Sequence, residues 1–201
     1  MEGSPVVNIV DDDKSVRKSL ERLLRSVGFE VQTYASAQDF LSDKLPDSPG
    51  CLVLDLKMPG INGLELQEKL AALHRVIPII FVTGYGSIPE SVKAMKAGAV
   101  DFLEKPYEEK TLLAAIDRAI KKDILFRQDN NELAAIRKRF ACLTPREREV
   151  FALVVAGMLN KQVAYDLGVA EKTIKVHRAR IMQKMAAGSL ADLVRLAERL
   201  K

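Results

Sequence analysis

The sequence predicts an α/β half followed by an all-α half. Three observations carry that expectation. Short apolar runs alternate with segments of helical periodicity over the first 120 or so residues. From Lys110 to the end the helical pattern continues without a convincing strand. The charge also divides, with residues 1–126 at a formal −3 and residues 127–201 at +7.

Val6-Val7-Asn8-Ile9-Val10 reads as a first strand, ending at Asp11-Asp12-Asp13. Ser15 to Val27 places Val16, Leu20, Leu23, Leu24 and Val27 at helical spacing, with Gly28 as its stop. Phe29 to Tyr34 has the alternation of a strand, and Ala37 to about Leu45 that of a helix. Cys51-Leu52-Val53-Leu54 is a run suited to a strand buried on both faces, closed by Asp55 and then Met58-Pro59-Gly60. A helix from Gly63 to Leu73, a strand from Pro78 to Thr83 closed by Gly84-Tyr85-Gly86, a helix from Pro89 to Ala97 and a strand from Val100 to Glu104 complete the half. Five strands alternating with helices predict a parallel sheet covered on both faces.

In a parallel sheet the strand ends share one rim. Asp11 and Asp12, Asp55, Thr83 and Lys105 therefore converge. Three carboxylates repel one another unless a cation sits among them, and an all-oxygen set favours Mg²⁺. A Lys, a hydroxyl and a metal are what an in-line phosphoryl transfer requires. Asp13 is better read as a helix-start residue than as a ligand.

The set Asp11-Asp12, Asp55 with Met58-Pro59-Gly60, Thr83-Gly84 and Lys105-Pro106 resembles the receiver domain of two-component response regulators, over roughly residues 5–122. The resemblance implies a flavodoxin-like, doubly wound fold in which Asp55 accepts a phosphoryl group from a sensor histidine kinase. It implies Mg²⁺ held by Asp12, Asp55 and the backbone carbonyl of Lys57, with Asp11 acting through water. Thr83 and Lys105 would contact the acyl phosphate, and Lys105-Pro106 would be cis. Phe102 matches the switch aromatic of that family, while a core aromatic fits it equally well.

In the second half, Leu112, Leu113, Ile116, Ala119 and Ile120 continue a helix. Asp129-Asn130-Asn131 then makes a poor helix interior, so residues 123–140 read as a helical linker between a domain at 1–122 and another at 141–201. Thr144-Pro145-Arg146-Glu147 is a capping-box start with Pro at the first helical position. Helices follow from there to Gly157, from about Asn160 to Leu167, from Glu171 to about Met185, and from Ser189 to Leu200. The middle pair, joined at Gly168 with the second member densely basic, reads as a helix-turn-helix. Ile174, Ile181 and Met185 should face inward. Lys172, Lys175, Val176, Arg178, Ala179 and Arg180 are left for solvent or DNA.

Leu143-Thr144-Pro145-Arg146-Glu147, Asn160-Lys161-Gln162-Val163-Ala164 and Thr173-Ile174-Lys175-Val176-His177-Arg178 resemble the LuxR-type output domain, and the whole chain resembles the NarL/FixJ family. That implies a four-helix domain in which Lys175, Val176 and Ala179 face the major groove of promoter DNA. Lys161, Thr173, Arg180 and Lys184 would favour phosphates, His177 would pack, and the last helix would be a dimer contact. The implied protein is a transcription factor, not an enzyme beyond its own phosphorylation and dephosphorylation, that dimerises when phosphorylated, with RNA polymerase as a further candidate partner. A phosphotransfer relay and a constitutive DNA binder are the alternatives. No apolar run approaches a membrane span, no signal peptide is evident, and Cys51 and Cys142 lack disulfide or metal spacing, so a cytoplasmic location is expected.

Overall fold

The computed structural model describes residues 4–44, 47–84 and 87–201. The chain forms two compact units, Met1–Arg127 and Gln128–Lys201.

The first unit holds five parallel strands: β1 (Val6–Val10), β2 (Glu30–Tyr34), β3 (Gly50–Asp55), β4 (Ile79–Thr83) and β5 (Asp101–Glu104), in the order β2-β1-β3-β4-β5. Between them run α1 (Lys14–Ser26), α2 (Ala37–Ser42), α3 (Gly63–Ala72) and α4 (Ile88–Lys96), and α5 (Glu109–Ala141) follows. Strand alternation sorts the core into two layers. Val7, Ile9, Cys51, Val53, Ile80 and Val82 pack against Leu20 and Leu24 of α1 and Leu112, Ile116 and Ile120 of α5. Val10, Leu52, Leu54 and Phe81 pack against Phe40 of α2, Leu66 and Leu70 of α3 and Ala94 of α4. β1, β3 and β4 are buried along their whole length, as their continuous apolar runs require.

The helix starts follow local chemistry. Asp13 caps α1, its side chain accepting from the backbone N–H groups of Ser15 and Val16. Asn62 with Glu65, and Ser87 with Glu90, form capping boxes at α3 and α4. The α2 helix stops at Ser42, short of the sequence expectation; Leu45 and Pro46, like Tyr85 and Gly86, lie outside the described residues. At Gly50 the sheet comes so close that a Cβ would sit 2.2 Å from the Val6 carbonyl oxygen. Only glycine fits there.

The second unit contains α6 (Pro145–Val155), α7 (Asn160–Asp166), α8 (Glu171–Met185) and α9 (Leu190–Glu198) around Val150, Phe151, Val154, Val163, Ile174, Ile181, Met185 and Leu193. Ile136 and Phe140, from the end of α5, belong to the same core, with Phe140 edge-on to Phe151 at 5.3 Å. The stretch read as a linker over 123–140 thus lies inside one helix, and the compact units divide at Arg127 and Gln128. No helix among the described residues is long and apolar enough to cross a membrane.

Candidate functional sites

The carboxyl ends of β1, β3, β4 and β5 bring one cluster of polar groups to the rim of the sheet. Asp55 ends β3 and is buried, as are Asp11 just beyond β1 and Thr83 at the end of β4. Lys105 reaches back from the end of β5, its Nζ 2.9 Å from Asp11 Oδ2 and 3.1 Å from Asp55 Oδ1. The other Asp55 oxygen accepts from the Lys57 backbone N–H at 2.8 Å. Asp11 Oδ1 accepts from the Asp13 N–H at 2.8 Å, and its carbonyl accepts from Arg17 Nη1 at 2.6 Å. One ammonium therefore bridges two carboxylates that would otherwise repel each other in a poorly solvated site.

Burial pushes the Asp55 carboxyl above its usual range, against the opposing pull of Lys105 and the Lys57 N–H. For Lys105, burial alone favours the neutral amine, but Asp11 and Asp55 outweigh it and hold the ammonium above its usual value. Asp12 is exposed beside this pair. By formal charge Asp11, Asp12 and Asp55 exceed Lys105 by two, and the three carboxylates offer only oxygen donors. In charge and chemistry they suit a hard divalent cation. Among the described residues no group of three or more His, Cys, Asp or Glu side chains is gathered tightly enough to form a ready metal cage. Such an ion would complete its shell with backbone oxygen and water.

The start of α3 lies close against the backbone that follows Asp55. Gly63 opens that helix, its N–H donating to the Leu56 carbonyl at 3.0 Å. A Cβ on Gly63 would meet the Asp55 carbonyl oxygen at 2.6 Å and Phe81 Cε1 at 3.0 Å. Phe81 in turn lies 6.0 Å, centroid to centroid, from the partly buried Phe102. Lys105-Pro106 is cis, and the Lys105 N–H donates to the Thr83 carbonyl at 2.7 Å, which joins β4 and β5 at the rim. On α4, Ile88, Val92 and Met95 form an exposed apolar stripe at helical spacing.

The second cluster is on α8. Lys172, Thr173, Lys175, Val176, Ala179 and Arg180 are exposed, as is Lys161 on α7, while Ile174, Ile181 and Met185 hold the opposite face in the core. Lys175 makes an exposed ion pair with Glu171 at 3.2 Å. Two predicted contact residues are occupied within the domain. Arg178 Nη1 donates to Asn160 Oδ1 at 3.0 Å, tying α8 to the start of α7. Lys184 Nζ donates to Glu147 Oε2 at 2.6 Å and to the Cys142 carbonyl at 3.2 Å. Glu147 is buried, and the hydrogen bond from Lys184 holds its carboxyl below the usual glutamate value. His177 faces inward, with Nδ1 enclosed. The sequence marked Glu147 only as a capping residue, which it also is, accepting from the Thr144 N–H at 2.8 Å. Its pairing with Lys184 had no local signal.

Comparison with known proteins covers both units. Residues 7–117 match the response regulator receiver domain, and residues 141–197 match the bacterial regulatory proteins of the luxR family. Nodulation protein W of Bradyrhizobium diazoefficiens is 49% identical over 195 residues, 97% of this chain and 86% of that protein. The transcriptional regulatory protein FixJ of Rhizobium meliloti is 47% identical over 191 residues, 95% of this chain and 94% of its own length. Among solved structures, the response regulator StyR superimposes with a TM-score of 0.88 at 50% identity, covering 98% of this chain and 100% of that one. Full-length FixJ from B. japonicum gives 0.60 at 42% identity over the whole chain.

Proposed function

The chain belongs to the response regulators that pair a receiver domain with a LuxR-type DNA-binding domain, and on that premise we propose that Asp55 is its phosphoacceptor and α8 its DNA-reading helix. The family consists of transcription regulators rather than metabolic enzymes, and phosphorylation-driven activation is its general mechanism. The observation that carries the assignment is the setting of Asp55: a buried carboxylate at a strand end, with Lys105 on one oxygen and a backbone N–H on the other.

The reaction moves a phosphoryl group from the phosphohistidine of a sensor kinase. The P–N bond breaks, a P–O bond forms at Asp55, and the imidazole leaves with its electron pair. Lys105 is placed to neutralise charge on the incoming group, and the Lys57 N–H fixes the carboxylate for in-line attack. Asp12, Asp55 and the Lys57 carbonyl, with Asp11 acting through water, would hold Mg²⁺, which would supply charge neutralisation at the phosphoryl oxygens.

The modified side chain carries extra negative charge and three acceptor oxygens. Thr83 and Lys105 move to meet them, which biases the receiver between two pre-existing arrangements. Phe102, against Phe81, follows the β4 end. The apolar stripe of Ile88, Val92 and Met95 then pairs with a second copy. Two α8 helices reach successive major-groove half-sites about one helical turn apart. Lys175, Val176 and Ala179 read base edges, while Lys161, Lys172, Thr173 and Arg180 contact phosphates, giving salt-sensitive affinity.

The test combines an acyl-phosphate donor and Mg²⁺ with promoter DNA binding and oligomeric state. Intact mass should show one added phosphoryl group, with tighter binding and a dimer, and Asp55→Asn should lose all three. Donor-stimulated binding that survives Asp55→Asn would defeat the assignment.

A further inference from the structure

Five consecutive residues of α5, numbers 128–132, are all exposed. On one side of them Asp123 is buried, accepting from the Gly50 N–H at 2.9 Å and from Arg127 Nε at 2.7 Å. On the other side Ile136 is buried in the second core. The stretch itself buries nothing, and Asp129, Asn130 and Asn131 are weak helix formers because their short polar side chains compete for the backbone. The boundary between the compact units falls at its leading edge. Yet the helix runs straight through.

What this stretch does have is Arg199. That residue is the C-cap of α9, and its guanidinium reaches Asp129 and Glu132 on one face of α5. One Nη donates to the Asp129 carboxylate, the other to Glu132 Oε2 at 2.6 Å. The pair of carboxylates, with Glu132 first, also raises the Arg199 pKa. Residues i and i+3 share a helix face, so a planar two-pronged cation can clamp both and hold the intervening turn closed.

We propose that Arg199 is a latch: closed, it splints α5 as helix through 128–132, and open, it lets that turn melt while both units stay folded. The position of α9 and the integrity of α5 then become one equilibrium. An α9 drawn into another contact that recruits Arg199 removes the splint, and a melted turn frees the end of α9. The latch needs no phosphoryl group, so it stands or falls separately from the Asp55 reading.

Amide hydrogen exchange on the full chain without a phosphodonor tests it. Arg199→Ala should speed exchange at 128–132 about three- to tenfold, the size expected for a partly exposed ion-pair network, and leave β1, β3 and α8 unchanged. Salt at 1 M should speed the same amides in the parent protein and have little further effect in Arg199→Ala. Exchanging the charges, with Arg199→Glu alongside Asp129→Arg and Glu132→Arg, should restore slow exchange. Unchanged exchange at 128–132 in Arg199→Ala overturns the latch. So does acceleration spread evenly over α6 to α9, which would make Arg199 an ordinary part of that fold.

Discussion

Lys184→Met separates two roles for a basic residue on α8. A phosphate contact there predicts a loss of DNA affinity with a shallower salt dependence. Its geometry predicts something else. Lys184 Nζ sits 2.6 Å from Glu147 Oε2, whose side chain is only 3% exposed against 35% for Lys184. Removing the ammonium leaves that carboxylate with only neutral donors from Thr144, its N–H and its side chain. Breaking a fully buried pair costs about 3–5 kcal/mol, and the partial exposure of Lys184 discounts this to roughly 2–3 kcal/mol. For a unit of this size that lowers the melting temperature by roughly 8–24 °C. Because the folded-state carboxyl lies below its usual 4.5, the pair's contribution is complete above that value and is lost as the pH falls through the lower one. Lys184→Met should therefore flatten the acid limb of the stability curve for the second unit. Calorimetry of the full chain, read at the transition that also abolishes α6 and α8 protection, measures the first effect. DNA titrations at several salt concentrations, below the melting range, measure the second. The slope of log affinity against log salt should be unchanged, since a lost phosphate contact removes about 0.9 from it. A melting temperature that stays put while the slope falls by about 1 would refute the reasoning.

Two further substitutions probe the two sites. Gly63→Ala places a methyl group 2.6 Å from the Asp55 carbonyl oxygen and against Phe81, so it should cost about 1–3 kcal/mol by overpacking and slow donor-driven phosphorylation; an unaltered phosphorylation rate, read by intact mass, would show that α3 does not set the Asp55 backbone. Lys175→Ala loses only an exposed ion pair with Glu171, worth less than about 1 kcal/mol of stability, but should weaken binding to the specific site by about 1–3 kcal/mol per lost base contact. Equal losses on specific and unrelated DNA would assign Lys175 to the phosphate backbone instead.

The strands and their polar ends were legible because each signal is local: an apolar run, then a carboxylate, hydroxyl or amine at the rim. The cap at Asp13 and the capping box at Thr144 were readable for the same reason, since a helix start is decided within four residues. Contacts that join distant segments left no such mark. Glu147 and Lys184 are 37 residues apart, and nothing around either one announces a buried partner. Arg178 is read as a DNA contact because it is basic and lies on α8, and nothing in the sequence signals the hydrogen bond its guanidinium donates to Asn160. Composition can supply a cation to a helix, but only packing decides whether that cation faces a phosphate or a neighbouring side chain.

The course of α5 shows the same limit from the opposite side. Propensity marks Asp129-Asn130-Asn131 as a poor interior for a helical linker, and propensity is a weak prior over three residues when tertiary contacts act on both flanks. Asp123 is tied to the start of β3 and Ile136 is sunk in the second core, so the intervening residues are already held near helical geometry before their own preferences count. Nucleation, the expensive step in forming a helix, is supplied from both ends. What remains is the weak propensity of those three residues, against which the Arg199 ion pairs with Asp129 and Glu132 act. An exposed segment of weak helix formers, where the chain passes from one compact unit to the next, is where a modest change in charge should have the most effect on helix integrity.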